Sequence, residues 1–398
     1  MNVIYLSYDG MTDPLGQSQV IPYVRGLSRK GHKMTIVSLE KTDKFAKDKT
    51  DTDNQLKDYN IIWHPFPYRR GLFLVSTLIN LITVAFFLKK YIRENQVEII
   101  HCRSYISSIL GLYFKNTLGT KFIFDMRGFW ANERKETGML NNSLLYSWFK
   151  RLERNFIIKS DAIISLTQNA ISEMKTWSYV EESHYAKFHH ISTCCNIKDY
   201  DLARETNLMR PSGDSINLIY IGSIGPWHSI NDIKLFIKTV YMHCSNSHFT
   251  LIVNQGSEKL HDFIEQENMD TGRFIIKSLP HSDIRDALVN QDIGFFFIPP
   301  TYAKRASSPT KMGEMLAAGL PIITGHSIGD IDILIEENEI GHIVKNSSTE
   351  EYKLAIDAVL NLINDNKQGL AERCNKVANS YFSMEKAIDA YDKIYHNI

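Results

Sequence analysis

Ala306-Ser307-Ser308-Pro309-Thr310-Lys311-Met312-Gly313-Glu314-Met315-Leu316-Ala317-Ala318-Gly319-Leu320-Pro321 is the stretch that decides the fold. Ser308 is a residue type that caps helices. Pro309 then falls at a first helical position, where a missing N–H costs nothing. The amides of Thr310 and Lys311 leave the helix end unpaired, and the positive end of the helix dipole adds to them, so the segment predicts an anion site. Ser307, Ser308 and Thr310 supply hydroxyls and Lys311 a formal charge, a set that suits a diphosphate. Glu314 follows Lys311 by three residues on the same helix face, where a carboxylate accepts hydrogen bonds from a ribose diol. Gly319 ends the helix and Pro321 opens a strand. The plainer reading is a capped helix with a structural Lys–Glu pair.

Outward from this segment, short apolar runs alternate with helical spacing. Val3–Leu6, Met34–Leu39, Val97–Cys102, Lys121–Phe124 and Asp161–Leu166 read as strands before residue 200. Ile216–Ile221, Phe249–Val253, Phe274–Ile276, Ile293–Ile298 and Ile340–Val344 read as strands after it. Helices are expected at Gln17–Lys30, Ile106–Phe114, Asn169–Trp177, Ile230–Met242 and Glu385–Tyr395. β-branched runs separated by helices predict parallel sheets covered on both faces. The pattern breaks at Arg210-Pro211-Ser212-Gly213-Asp214 and restarts. Two doubly wound domains are therefore expected, 1–208 and 209–380, with a last helix in 381–398 crossing back to the first. In such sheets ligands sit beyond the carboxyl ends of the strands, so two facing domains predict one deep central cleft.

The 398 residues are 43% hydrophobic and 23% charged, which excludes disorder, collagen-like repeats and small disulfide scaffolds. Lys+Arg and Asp+Glu are 45 each. Residues 1–200 carry 27 basic and 19 acidic side chains, and residues 201–398 carry 18 and 26. A basic first half suits an anionic surface or a phosphate-bearing ligand; a random surface bias is the plainer account. The five cysteines are odd in number and form no CxxC, which predicts reduced thiols, no metal site and a cytoplasmic setting. Met1 leads straight into a strand pattern, with no basic segment of a secretory signal before it. Leu72 to Leu88 is mostly Leu, Ile, Phe and Val between Arg69, Arg70 and Lys89, Lys90. It reads as a domain helix, a helix docking on a membrane surface, or, less well given strand patterns on both sides, a span.

The run Glu314–Pro321 resembles the nucleotide-sugar signature of family 4 glycosyltransferases, which have the GT-B fold. The first loop, Asp9-Gly10-Met11-Thr12-Asp13-Pro14-Leu15-Gly16-Gln17-Ser18-Gln19, the strand and glycine turn Leu218–Ser223, and Phe382-Ser383-Met384 before a closing helix are similar to the same family. The resemblance covers nearly the whole chain and implies an α/β GT-B architecture of two Rossmann-like domains. It implies that Gly16 brings backbone close to the donor phosphate and that Glu314, the second acid of the family's E-x7-E motif, holds the ribose. The first acid would fall at Ala306 and is absent, which argues against a double displacement through that position. Ser223 stands where the family usually has Arg and His228 where it has Lys; Lys311 and the Ser-Ser-Pro-Thr hydroxyls are expected to bind phosphate instead. Gly222, Asn254, Lys277 and Leu279 complete the expected donor side.

On the acceptor side, the family often has His near the position of Arg103. Asp125, in Phe124-Asp125-Met126-Arg127-Gly128-Phe129-Trp130, is the candidate carboxylate near the acceptor hydroxyl, and Arg127 the candidate partner of a phosphate or of Asp125 itself. A structural Asp125–Arg127 pair is the competing reading, and Glu133 and Arg134 share the segment. Lys304 and Arg305 read as solvated, His189 and His190 as structural. The turn Gly222-Ser223-Ile224-Gly225 is not a full dinucleotide fingerprint, which disfavours NAD.

The expected reaction moves a sugar from a nucleoside diphosphate to a hydroxyl, with retention implied by the resemblance and no cofactor. No metal is expected, since the acid pairs Asp51/Asp53 and Asp330/Asp332 lie outside the expected site. A lipid-linked, phosphate-bearing acceptor at the cytoplasmic membrane face is the expected partner, as in surface polysaccharide assembly; nucleic acid is not. The alternatives are a nucleotide-sugar epimerase on the same fold, a non-catalytic nucleotide-sugar-binding subunit, and a soluble protein glycosyltransferase.

Overall fold

The computed structural model describes residues 1–210, 215–225 and 229–398. His228 and most of the expected break at 210–214 lie outside them. Among the described residues thirteen strands form two all-parallel sheets. The first comprises β1 (Asn2–Ser7), β2 (Lys33–Glu40), β3 (Ile62–Pro67), β4 (Ile99–Arg103), β5 (Lys121–Asp125), β6 (Ala162–Ser165) and β7 (Phe188–His190), in the order β3-β2-β1-β4-β5-β6-β7. The second comprises β8 (Ile216–Gly222), β9 (Ser247–Val253), β10 (Phe274–Lys277), β11 (Ile293–Phe296), β12 (Ile322–Gly325) and β13 (Gly341–Val344), in the order β10-β9-β8-β11-β12-β13. Both orders reverse direction at their first strand, the doubly wound topology that the alternation predicted.

Every strand expected from the apolar runs is present. β3 was missed because Pro65 and Pro67 interrupt its pattern; proline is tolerated there because β3 is an edge strand. The expected helix Gln17–Lys30 is two helices, Pro14–Gln19 and Ile21–Arg29, broken at Val20 where the backbone leaves helical geometry; the second restarts with Pro22 in its first turn, where proline is tolerated.

The chain divides into two compact units. Met1–Ser192 and Met384–Ile398 form the first, and Thr193–Ser383 the second. This corrects the expected boundary at 208/209. Cys195, Ile197, Tyr200 and Ala203 already belong to the apolar core of the second unit, together with Leu218, Ile219, Phe295 and Met315. The closing helix, Met384–Asn397, packs into the first unit. Its partner is helix Ile21–Arg29, where a Cβ on Gly26 would sit 2.1 Å from Ile388 Cδ1, so a larger residue there would push the Ile388 side chain aside.

The apolar segment forms helix Phe73–Asn95 of the first unit, and its amphipathicity is inverted over the first half. Thr77 and Asn80 are buried. Asn80 accepts from the Arg69 backbone amide at 3.3 Å and donates to the Tyr8 hydroxyl at 3.2 Å. Leu74, Val75, Leu78, Ile82 and Phe86 face outward instead, Phe86 with 76% of its surface exposed. Val84, Leu88 and Ile92 anchor the second half in the core. The helix is long and apolar enough to cross a membrane, yet a third of its apolar window is buried in the domain.

Candidate functional site

The donor-side candidates gather along the carboxyl ends of the second sheet. Gly222 ends β8 with no room for a side chain, since a Cβ would meet the Tyr220 hydroxyl at 2.3 Å. The loop after it lies on the loop after β9. The Ile224 amide donates to the Gln255 carbonyl at 2.8 Å, and Gly256, at φ +82°, places its Cα where a Cβ would fall 2.6 Å from the Ile224 carbonyl oxygen. Asn254 bridges to the next loop, its Oδ1 accepting from Ser278 Oγ at 2.8 Å and from the Leu279 amide at 3.2 Å. Two residues on, His281 Nε2 lies 2.8 Å from Glu314 Oε1. The loops after β8, β9 and β10 and helix Thr310–Ala317 therefore make one continuous rim. Lys277, at the end of β10, is exposed beside it, and Ser223 lies on the β8 loop.

The helix itself corrects one expectation. It begins at Thr310 with Pro309 as the cap residue, and among the described residues no side chain caps it. Ser308 turns away: its Oγ lies 3.0 Å from Thr193 Oγ1 and its carbonyl accepts from the same hydroxyl at 2.6 Å. Ser307 is half-buried, its amide bonded to the Lys304 carbonyl. Only Thr310 and Lys311 remain at the helix mouth. Lys311 has no hydrogen-bond or ion-pair partner among the described residues, and burial lowers its pKa, with Glu314 pulling the other way. A poorly solvated cation beside unpaired helix amides is a site with charge to spare for an anion.

Glu314 is 2% exposed and engaged. Besides His281 it binds the buried hydroxyl of Tyr200, whose pKa rises through burial first and Glu314 second. His281 is raised, through its hydrogen bond to Glu314 before anything else. Neither partner was found in the sequence, because both reach Glu314 from distant segments that carry no motif. Ala306, where the family's first acid would stand, is buried.

In the first unit the three acceptor-side candidates meet at the ends of β4 and β5. Asp125 has no exposed surface. Its Oδ1 is 3.7 Å from Arg127 Nη1 and its Oδ2 3.4 Å from His101 Nε2; His101 Nδ1 lies 2.7 Å from the Tyr395 hydroxyl. Burial works against charge on Asp125, and Arg127, His101 and Arg103 outweigh it, so the carboxyl is held below its ordinary value. Burial likewise pulls Arg127 down, and Asp125 more than reverses it. His101 is pushed down by burial and stays neutral at pH 7. Burial, then Asp125, pushes Tyr5 up to about 12. This enclosed pair has the geometry of the competing reading made for Asp125 and Arg127, a structural ion pair, rather than that of a carboxylate open to an acceptor hydroxyl.

Arg103 and Arg127 are better placed. Arg103 Nε is 3.6 Å from the half-exposed Asp9, and Arg127 Nη2 donates to Gln19 Oε1 at 3.4 Å. Arg103 Nη1 and Arg127 Nε are buried without hydrogen bonds. Arg127 (φ +56°) and Ser104 (φ +65°) both adopt left-handed backbone, a strain that clusters at functional sites. Gly16 packs where a Cβ would fall 2.2 Å from the Gly10 carbonyl oxygen, so its observed constraint is the loop after β1. That loop hangs on a residue the sequence did not reveal. Buried Glu40 accepts from the Met11 amide at 2.7 Å, the Thr12 amide at 3.2 Å and Thr12 Oγ1 at 2.7 Å. All five cysteines are free thiols. Asp332 receives the Ser327 amide and Asp330 the Tyr381 hydroxyl.

Residues 18–186 match the profile of Glycosyltransferase Family 4. No curated protein matches the chain in sequence. Among solved structures, HepE of Anabaena in complex with UDP and glucose is similar over the full length of both chains, at 12% identity and a TM-score of 0.70. Sucrose-phosphate synthase of Thermosynechococcus elongatus is similar over 100% of this chain and 98% of its own, at 12% identity and 0.68. WaaG, a glycosyltransferase involved in lipopolysaccharide biosynthesis, is similar over 98% and 99%, at 13% and 0.66. The fold is the GT-B fold of these structures. The family 4 match spans most of the first unit, and the fold of the whole chain is that of GT-B glycosyltransferases.

Proposed function

We propose that the protein transfers a sugar from a nucleoside-diphosphate-sugar to the hydroxyl of a lipid-linked, phosphate-bearing glycan at the cytoplasmic face of a membrane, with retention and without a catalytic metal. The observation that carries the donor half is Lys311, unpartnered at the mouth of helix Thr310–Ala317 on the carboxyl edge of a parallel sheet. As the bond from sugar to diphosphate breaks, negative charge grows on the leaving oxygen. Amides fixed by the helix and a partly desolvated ammonium stabilise that charge without reorganising. Glu314 sits one turn further in, where the ribose diol takes the place of His281. With Asp125 enclosed and Ala306 in place of an acid, the departing phosphate itself accepts the acceptor's proton. The structures of HepE with UDP and with UDP-glucose support a nucleotide-sugar of this kind as donor.

The acceptor half rests on two features of the first unit. Arg103 and Arg127 bring two guanidinium groups to the carboxyl edge of the first sheet, a concentration of positive charge that suits a phosphate-bearing acceptor. Helix Phe73–Asn95 turns an apolar stripe outward between exposed Arg69, Arg70, Lys89 and Lys90, the arrangement of a helix lying on an anionic lipid surface.

A thermal-shift panel of UDP-, GDP- and other nucleotide-sugars tests the reading. One nucleotide class is expected to raise the melting midpoint, because a ligand at about 100 times its Kd stabilises the folded state by about 2.7 kcal/mol. Product analysis with that donor alone should then show no new sugar nucleotide. An epimerised donor would replace the transferase reading, and a panel without any shift would end the donor assignment. The buried Ala306 favours one second reading, a subunit that binds nucleotide-sugar without turnover; sugar transfer to any acceptor removes it.

A further inference from the structure

Away from both clusters, on the face of the first unit covered by its closing helix, three metal-ligating side chains converge on one atom. His32, in the turn between helix Ile21–Arg29 and β2, points Nε2 at Asp392 Oδ1 from 2.7 Å. His396 lies one helical turn beyond Asp392 and brings Nδ1 to 3.2 Å from the same oxygen. All three donor atoms lie within 4.8 Å of one another. The rings of His32 and His396 are 5.2 Å apart between centroids.

As hydrogen bonding alone, the cluster is poorly satisfied. His396 Nδ1 is also 2.8 Å from the Asp392 carbonyl, so its single N–H is shared. His32 is 3% exposed, and its Nδ1 is buried without a hydrogen bond. A buried imidazole thus hangs on a single contact, a cost most folds avoid. Asp392 and His396 lie on the solvent side, so both can turn to admit an ion, while His32 is fixed by packing edge-on against Tyr395. An i, i+4 pair of ligands on a helix plus one anchored imidazole from a neighbouring turn is a geometry that chelates.

We infer that His32, Asp392 and His396 form a divalent-metal site of zinc type that clips the closing helix Met384–Asn397 to the first unit. Two imidazoles and one carboxylate favour a borderline-soft ion over Mg²⁺ or Ca²⁺, which prefer all-oxygen shells. Water completes the shell on the exposed side. On binding, Nε2 of His32 gives its lone pair to the metal and its proton moves to Nδ1; His396 Nδ1 exchanges its proton in the same way with its other ring nitrogen. Of the positive charges near the cluster, Lys30 is paired with Asp389 at 2.6 Å, and the Met1 amino group acts on His32 only through space. The site is structural and independent of the sugar-transfer reading.

The experiment uses untagged full-length protein stripped with a chelator and titrated with ZnCl2 against a chromogenic competitor. One zinc per chain and a raised melting midpoint are expected. Co²⁺ in its place should give visible d–d bands without a thiolate charge-transfer band, which separates this site from the cysteines. His396→Ala, at an exposed position that leaves the fold intact, should bind zinc at least about tenfold more weakly. A wild-type protein that takes up no zinc, a thiolate band with cobalt, or unchanged affinity in H396A overturns the assignment.

Discussion

Asp125 and Arg127 form an enclosed ion pair, and the two readings of Asp125 separate cleanly by mutation. If it neutralises a buried guanidinium, Asp125→Asn leaves Arg127 charged without a partner, and breaking such a pair costs about 3–5 kcal/mol. A large fall in the urea midpoint is therefore expected, with nucleotide-sugar binding by the refolded protein retained; a base would instead cost turnover at unchanged stability. His281 and Glu314 pose a second test. Hydrogen bonding to Glu314 raises His281 above its ordinary value of 6.5. Its contribution to stability is accordingly present below pH 6.5 and lost as the pH rises through the raised value. Glu314 is released over the same climb, so donor affinity measured by calorimetry should strengthen from slightly acid to slightly alkaline pH. His281→Ala should flatten that profile; a parallel profile in the variant would remove Glu314 from the ribose. Motif reading could single out Glu314 and Lys311 as candidates because they share one helix. It missed His281, Tyr200, Glu40 and His101's link to Tyr395 because each acts from a segment with no pattern of its own.

At the level of elements, alternation of apolar runs and helical spacing was enough for both sheets, since buried parallel strands must be apolar on both faces. The exceptions are instructive. β3 hid behind two prolines that an edge tolerates, and the Ser308 cap failed because Thr193 competes for its hydroxyl. Helix Phe73–Asn95 was legible as apolar but not as inverted, because which side a helix turns inward is decided by partners such as Tyr8. The inversion makes a prediction. Leu78→Glu with Phe86→Glu changes only outward-facing side chains, so stability should move by no more than about 0.5 kcal/mol per site. Flotation with anionic liposomes should drop sharply. Equal flotation of the variant would dismiss this helix as a membrane contact.

For the whole molecule, the division into units follows packing rather than the break in sequence pattern, which is why the boundary moved from 208 to 192. The helix Asp201–Met209 reads as a tail of the first unit, yet Ala203 is buried in the second and Asn207 bonds the Leu288 and Ala318 carbonyls there. The closing helix contributes Tyr391, Ile394 and Tyr395 to the interior of the first unit. Deleting 384–398 should thus raise hydrogen exchange in β1, β4 and β5 while leaving β8–β12 protected, as read by mass spectrometry; uniform loosening would contradict the division. The same arrangement bears on biosynthesis. On the ribosome the first sheet emerges before the second unit, yet His101 and Arg127 wait for Tyr391 and Tyr395, which are made only after that unit. The second unit, contiguous in the chain, is free to mature in the interval, so the half of the protein that starts first is the half that finishes last.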